Sequence, residues 1–204
     1  MYCSSCNCEY EGWSGNCPSC KQPLVDGRPV DQIPSNGQIN YSSLVEMIEK
    51  NGDSIDIDLG ASQVIRKKSS RFPWLGFGYA WTQRLNGKAD GIHVELSATE
   101  VGKDRNWSFP YRGHGYAWEQ EMQGIIAGNQ CSLKASEVKR SSTWSFPYSG
   151  YGFAWTEEML GSCGDQIQLI MTASKVSKKR VYGFPYFGHG YAWVDEGILT
   201  LRLI

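Results

Sequence analysis

Four segments of the chain alternate apolar and polar residues, and each of these segments leads to an alanine. The first runs from Ile55 to Ala61, and the others lead to Ala98, Ala135 and Ala173. In every copy the next apolar residue is a valine three positions after the alanine. Alternation with a period of two predicts a half-buried β-strand. The interruption before the valine predicts a β-bulge at the same place in each copy.

A second motif, F-P-x-x-G-x-G-x-A-W, repeats in step with these strands. Its copies occupy residues 72–81, 109–118, 146–155 and 184–193, which are 37, 37 and 38 residues apart. Six of its ten positions are identical in all four copies, so chance similarity is excluded. Each repeat therefore predicts one long strand, a loop containing Phe-Pro, and a second strand through the Gly-x-Ala-Trp segment.

Four such repeats predict a mainly β domain over residues 54–204. We expect an antiparallel domain that is either a closed barrel or a ring of hairpins, because residues 197–204 are interpreted as a truncated fifth long strand that can pair with the first. A four-bladed propeller is the alternative, although propeller blades usually hold about 40–50 residues. A linear solenoid is disfavoured because the chain shows no capping repeat.

The segment before this domain, residues 25–53, is predicted to be a linker that contains one short helix at about 41–50. Proline and glycine interrupt the first part of the segment. Ser42 or Ser43 is the expected cap at the start of the helix, and Asn51-Gly52 is expected to end it. The expected role of the helix is to pack against the following domain.

Cysteines are concentrated in the first 20 residues, which contain five of the seven in the chain. Cys3 and Cys6 form one C-x2-C pair, and Cys17 and Cys20 form a second, with Cys8 as an additional thiol nearby. Four thiolates at this spacing can bind one ion tetrahedrally with bonds of about 2.3 Å. Because so short a segment cannot build a hydrophobic core, metal binding would supply its folding free energy.

The same stretch carries Tyr10-Glu11-Gly12-Trp13 between the two cysteine pairs and Gly15-Asn16 before the second pair. With these residues, positions 1–24 resemble zinc-ribbon and rubredoxin-like modules. The resemblance implies a four-cysteine Zn²⁺ site with a structural role, and iron is the alternative ion because redox iron sites use the same ligands. Disulfides are disfavoured, since paired C-x2-C motifs without a secretion signal are typical of metal ligands.

Composition and charge limit the possible classes of protein. Hydrophobic residues make up 41% of the chain and charged residues 20%, which excludes wholesale disorder. A net charge of −1 disfavours a globally basic nucleic-acid binder. No apolar run approaches the ~18 residues that cross a bilayer, and no signal peptide is recognised, so we expect a cytoplasmic protein without a transmembrane segment. Cys131 occupies an inward strand position, where burial is expected rather than reactivity.

Basic residues concentrate in four windows that run from each repeated valine through the Phe-Pro loop. The windows are residues 64–75, 101–112, 138–149 and 176–187. Together they contain 12 basic residues and a single acid, Asp104, whereas acids such as Glu119 follow the repeated tryptophans. If the strands run up and down, all four windows lie at one end of the domain, and that positive end attracts anions.

Variable positions of the same motifs supply the candidate ligand-binding residues. The repeated Phe-Pro and Ala-Trp positions are expected to be structural, and the two glycines of each motif are expected to serve either a positive φ or close backbone approach. His114 and His189 occupy slots that Phe77 and Tyr151 fill in the other repeats, which favours an aromatic filler over a metal ligand. The candidates are Trp74, Tyr111, Arg112, His114, Tyr148, Tyr151, Tyr186, His189, Arg71, Arg105, Arg140 and Arg180.

Catalytic motifs such as G-x-S-x-G, a Walker-type phosphate loop and H-E-x-x-H are absent from the sequence. Fourfold repetition supplies similar groups several times, which suits multivalent recognition better than catalysis. We therefore predict a non-enzymatic, metal-containing binding protein for an anionic or planar ligand such as a nucleotide, a nucleic acid or an acidic protein surface. A carbohydrate-binding, lectin-like protein is the main alternative, followed by membrane-surface binding and an iron redox protein.

Overall fold

The chain divides into a unit of residues 1–38 and a unit of residues 39–204. In the first unit, strands β1 (Tyr2–Cys3) and β2 (Cys8–Glu9) pair antiparallel. The computed structural model describes residues 2–3, 8–9, 39–71, 75–108, 112–145, 149–183 and 187–204. Of the predicted metal ligands, Cys3 is described in its backbone alone, and Cys6, Cys17 and Cys20 lie outside the described residues.

The second unit consists of one helix and eight long strands. The helix, α1, spans Tyr41–Lys50, as the sequence predicts. The strands are β3 (Ser54–Arg71), β4 (Leu75–Ala89), β5 (Ile92–Ser108), β6 (Arg112–Ile126), β7 (Asn129–Ser145), β8 (Ser149–Cys163), β9 (Ile167–Gly183) and β10 (Phe187–Leu203).

These eight strands form one closed antiparallel barrel in the order β10-β3-β4-β5-β6-β7-β8-β9. Pairing of β10 with β3 closes the barrel, from Glu196 opposite Gly60 to Arg202 opposite Ser54. The predicted closed barrel is thus confirmed, and the propeller alternative is wrong. Residues 197–203 are not a separate fifth strand, because they continue β10 without a break.

Each repeat folds into one hairpin, and the predicted bulge is present in all four. The pairing of β3 with β4 shifts register between Ala61 and Val64. Equivalent shifts occur in the other three hairpins. A bulge bends the strand that carries it and increases the local twist, so every hairpin changes direction at the same height.

The barrel is closed over only half of its length. Strands within a hairpin pair nearly throughout, as β3 and β4 do from Leu59 to Arg71. Strands of successive hairpins pair over a short stretch, and β5 pairs with β4 only from Ile92 to Ser97. Beyond that stretch, β4 and β5 are no longer paired, while the ladder within each hairpin continues.

The hydrophobic core fills the closed half, and α1 packs against it. Inward residues of all eight strands form one cluster with Leu44 and Ile48, which are both fully buried. Burial of each such side chain contributes about 1.5–3 kcal/mol. The helix is capped by Asn40, whose Oδ1 accepts the N–H of Ser43 at 2.8 Å. The expectation that Ser42 or Ser43 is the cap is therefore wrong by two or three positions.

Two cysteines that are far apart in the sequence lie directly opposite each other in this core. Cys131 of β7 is in register with Cys163 of β8, and both are buried thiols. Burial raises the pKa of both thiols, and Cys163 adds to the effect on Cys131, whose pKa is raised to about 12. Because the thiolate is the reactive form, both residues are unreactive core side chains at neutral pH.

Candidate functional site

Beyond the closed half, the even-numbered strands form a ring in which β4 contacts β6, β6 contacts β8, β8 contacts β10, and β10 contacts β4. Residues of the G-x-G-x-A-W segment alternate between an aromatic face and a face of glycine and alanine. The aromatic face of each strand packs on the glycine face of the next. The packed pairs are Tyr79 with Gly115, Tyr116 with Gly152, Phe153 with Gly190, and Tyr191 with Gly78.

Close backbone approach explains the second invariant glycine of the motif. A Cβ atom on Gly115 would lie 2.7 Å from the carbonyl oxygen of Gly78, and one on Gly190 would overlap the carbonyl oxygen of Gly152. Any side chain at these positions would push neighbouring strands apart. The motif therefore builds the ring, and the expectation that its glycines serve close approach is confirmed at these positions.

A groove opens between β4 and β5, beyond the stretch over which these two strands pair. Its floor consists of Tyr79 and Trp81, and Phe77 lies on the same face of β4. Because the hairpins are repeats of one unit, an equivalent groove is expected beside β6, β8 and β10. This β4–β5 groove has a volume of about 490 Å³, within the range of small-molecule sites. Its lining residues are Lys67, Lys68, Tyr79, Trp81, Lys103, Asp104 and Arg105.

Cations from two different repeats cover the floor of the β4–β5 groove. Lys67 lies directly opposite Tyr79 on the same hairpin, and its Nζ is 5.7 Å from the centre of the Trp81 ring. From the next hairpin, the Nζ of Lys103 is 5.2 Å from the same ring, and the Arg105 guanidinium is 5.7 Å from the ring of Phe77. Cations over aromatic rings are attracted by the ring quadrupole, so these charges are held at the mouth of the groove.

The same arrangement recurs in the other three grooves. The residues equivalent to Lys103 are Arg140, Lys178 and Arg66. Each lies 4.4–4.5 Å from the centre of the tryptophan ring of the preceding repeat. The last pair, Arg66 over Trp193, joins the first repeat to the fourth. Every floor tryptophan is thus covered by a cation from the next hairpin, which ties the separated hairpins together.

The side chains of Tyr79 and Tyr191 are neutral hydroxyl groups at physiological pH. Burial raises the pKa of Tyr79 and of Tyr191, and the nearby Arg105 and Arg66 oppose the shift only in part. The hydroxyls can therefore donate hydrogen bonds but do not contribute charge. The positive charge at the β4–β5 groove comes from its lysines and its arginine.

The structure places several sequence-predicted candidates in these grooves. Arg105, Arg140 and Arg180 lie over floor rings, and Arg180 is 5.3 Å from the ring centre of Tyr151, which is 4% exposed. Arg71 and Arg112 are described as strand ends without their side chains. Outside the described residues lie Trp74, Tyr111, Tyr148 and Tyr186.

Both candidate histidines occupy floor positions. His189 is 2% exposed, and burial, with Lys68 and His114 nearby, lowers its pKa to about 4. It is therefore neutral at physiological pH. His114 packs near its own strand's Tyr116, with ring centres 6.5 Å apart. Among the described residues, no three His, Cys, Asp or Glu side chains come together as metal ligands.

The candidate ligand-binding residues predicted from the sequence did not include Lys67, Lys103, Lys178 and Arg66, although all four lie in the basic windows. The last three share a signal with Arg140, since all four are the final position of the repeated A-[ST]-x-V-x-[KR] motif. A basic residue that recurs at one place in every repeat has a common structural environment. Here that environment is the tryptophan of the preceding repeat.

Glu119 was also not among the predicted site residues. It lies at the height where the hairpins join the closed half of the barrel. Its side chain is 1% exposed, and its Oε1 accepts the backbone N–H of Thr82. Across the described residues, Oε2 has no hydrogen-bond partner. Burial raises the pKa of Glu119 and outweighs the hydrogen bonds from Thr82 and Thr156, which lower it.

Comparison with known proteins gives no family for this arrangement. No family model matches the chain, and neither a curated protein nor a solved structure matches it. Within the ranges that the structure describes, no helix has the length and apolar character needed to cross a membrane. The function is therefore inferred from the grooves themselves.

Proposed function

We propose that this protein is a non-enzymatic binding protein whose grooves bind phosphate groups carried by a nucleotide or by single-stranded nucleic acid. The observation that supports the proposal is the placement of basic side chains over an aromatic floor at the mouth of the β4–β5, β8–β9 and β10–β3 grooves. Cationic grooves lined by aromatic residues are the usual means of holding single strands. A net charge of −1 is compatible with this function because the basic residues are gathered at one end.

The aromatic rings on the groove floors are covered by basic side chains, which favours the binding of anions over the binding of sugars. A sugar ring stacks on an exposed aromatic face, but Trp81 is 5% and Trp193 is 8% exposed. Lys67, Lys103 and Arg66 occupy the space above these rings. The groups that a ligand meets first are therefore ammonium and guanidinium groups, which bind phosphate oxygens through charge-assisted hydrogen bonds.

A labelled single-stranded DNA of about 20 nucleotides tests the proposal by fluorescence anisotropy. We expect the association constant to fall with salt, with a log–log slope of about −2 if three phosphates are neutralised. Lys103→Gln should weaken binding, and Lys88→Gln should not, because Lys88 is an exposed lysine in the closed half of the barrel.

Competitors separate the ligand classes in the same assay. Displacement by ATP at comparable phosphate concentration identifies a nucleotide site, and displacement only by unlabelled DNA identifies a nucleic-acid site. Equal displacement by poly-glutamate would assign the grooves to acidic proteins and contradict the phosphate proposal. Absence of DNA binding at low salt would also contradict it.

For the N-terminal unit, we propose a Zn²⁺ site formed by Cys3, Cys6, Cys17 and Cys20, with iron as the alternative ion. The support is the spacing of two C-x2-C pairs. Elemental analysis of protein purified without chelator should give one zinc per chain. A red-brown protein with visible charge-transfer bands would instead identify iron and a redox function.

A further inference from the structure

The four grooves differ in the residue that faces each floor from its own hairpin. This residue lies directly opposite the aromatic of the Gly-x-Ala step, as Lys67 lies opposite Tyr79. Because the hairpins are repeats of one unit, the position has the same relation to the floor in all four. In repeats one to four it is Lys67, Asp104, Ser141 and Lys179.

The groove between β6 and β7 is neutralised by its own side chains. Arg140 Nη1 lies 2.7 Å from Oδ2 of Asp104, and the same guanidinium lies 4.5 Å from the centre of the Trp118 ring. One face of the cation is thus held by a ring and its edge by a carboxylate. Ser142 occupies the wall position that Arg105 has in the β4–β5 groove, so this groove lacks a second basic side chain there. Both side chains of the Asp104–Arg140 pair are about half exposed, so a phosphate that approaches Arg140 competes with the Asp104 carboxylate for the same cation.

By contrast, two grooves have three basic side chains at the same wall positions. Both adjoin the β3–β4 hairpin, one on each side of it. The groove between β8 and β9 is intermediate, with Lys178 and Arg180 facing Ser141. The wall residues are Lys67, Lys103 and Arg105 in the β4–β5 groove, and Lys179, Arg66 and Lys68 in the β10–β3 groove. Lys68 and Asp104 also line the β4–β5 groove, where the three basic wall residues and Lys68 outnumber the single carboxylate.

We infer that phosphate groups bind on the two sides of the β3–β4 hairpin, in the β4–β5 and β10–β3 grooves, and that Asp104 excludes them from the β6–β7 groove. This inference rests on the proposed function and specifies where on the barrel it is exerted. A chain of phosphates gains more than a mononucleotide from two adjacent sites, because the second contact is intramolecular. Single-stranded nucleic acid is therefore the ligand class that this arrangement favours.

Lys103 and Arg140 offer a matched pair for the test, because they occupy the same repeat position and cover equivalent tryptophans. With the labelled single-stranded DNA, Lys103→Gln should weaken binding about tenfold, as expected for one lost charge-assisted contact. Arg140→Gln should change it less than about twofold. Circular dichroism checks that both variants keep the barrel.

Removing the carboxylate of Asp104 should make the β6–β7 groove accessible to phosphate. Asp104→Ser, which places the residue of the third repeat in the second, is expected to tighten DNA binding about threefold or more. Adding Arg140→Gln should abolish that gain, because the new contact requires the released guanidinium. A gain that persists in the double variant would overturn the role given to Asp104.

The outcomes distinguish this inference from the proposed function. If Arg140→Gln costs as much as Lys103→Gln, the four grooves act alike and the inference is wrong, although DNA binding stands. If Asp104→Ser leaves affinity unchanged, the Asp104–Arg140 pair does not close the groove. If the wild-type protein binds no DNA, both the proposed function and the inference fail.

Discussion

Gly190→Ala is expected to lower the free energy of unfolding by about 2–4 kcal/mol and the Tm by roughly 5–15 °C. The added methyl group would overlap the carbonyl oxygen of Gly152 and would lie 3.0 Å from the Phe153 ring. Since the obstacle is backbone on a neighbouring strand, no change of rotamer can relieve it. The ring of even-numbered strands would have to widen, and the packing of Phe153 would loosen with it.

Gly60→Ala is the matched control, because Gly60 also lies in a barrel strand but has no atom within 4 Å of a new Cβ. Alanine restricts the unfolded chain more than glycine does, so we expect this variant to be neutral or slightly more stable. Urea unfolding followed by tryptophan fluorescence measures both. Equal stability of the two variants would show that β8 and β10 do not approach as closely as described.

Much of this fold could be predicted because the same pattern of residues occurs in all four repeats. Alternation from Ile55 to Ala61 identified the inward residues, and the delayed valine located the bulge. The choice between a barrel and a propeller could not be made, since both bury the same faces of the same strands. The deciding contact, between β10 and β3, joins residues about 140 positions apart. The strand pattern of residues 197–204 indicated that this pairing was possible, but the repeat pattern does not by itself require it.

The sequence predicted which types of residue line the grooves but not how these residues are arranged. Charge counting located the basic windows, and Arg105, Arg140 and Arg180 do lie over aromatic rings. That each cation covers the tryptophan of the preceding repeat depends on the order of hairpins around the barrel, which the repeat motif does not specify. The difference between grooves depends on Asp104, whose partner Arg140 lies on the next hairpin.

Glu119 shows why a single unlike residue in a repeat is hard to interpret from sequence. It follows a tryptophan directly, and other acids such as Glu121 and Glu157 lie two or three residues after a tryptophan at half-buried positions, so Glu119 was grouped with them on sequence grounds. The equivalent residues are Thr82, Thr156 and Val194, and all four positions are buried. An inward position was therefore indicated by its neighbours in the repeat rather than by its own chemistry.

Glu119→Gln is expected to raise the free energy of unfolding by about 1–3 kcal/mol at pH 8, with a Tm increase of roughly 3–10 °C. Glutamine retains an oxygen that can accept the N–H of Thr82, as Oε1 does now. It also removes the negative charge of Glu119. That charge costs free energy in the folded state, because Oε2 has no hydrogen-bond partner among the described residues. Glu100→Gln, at an exposed position, is the control and should change little.

The pH dependence tests the physical cause. Burial raises the pKa of Glu119 above the ordinary value of 4.5, so the folded protein holds this proton more tightly than the unfolded chain does. Raising the pH above 4.5 therefore favours unfolding until the pH passes the folded pKa. The advantage of Glu119→Gln should be small at pH 4 and should grow toward pH 8. A variant that is less stable than wild type at every pH would show that the barrel requires the carboxylate at this position.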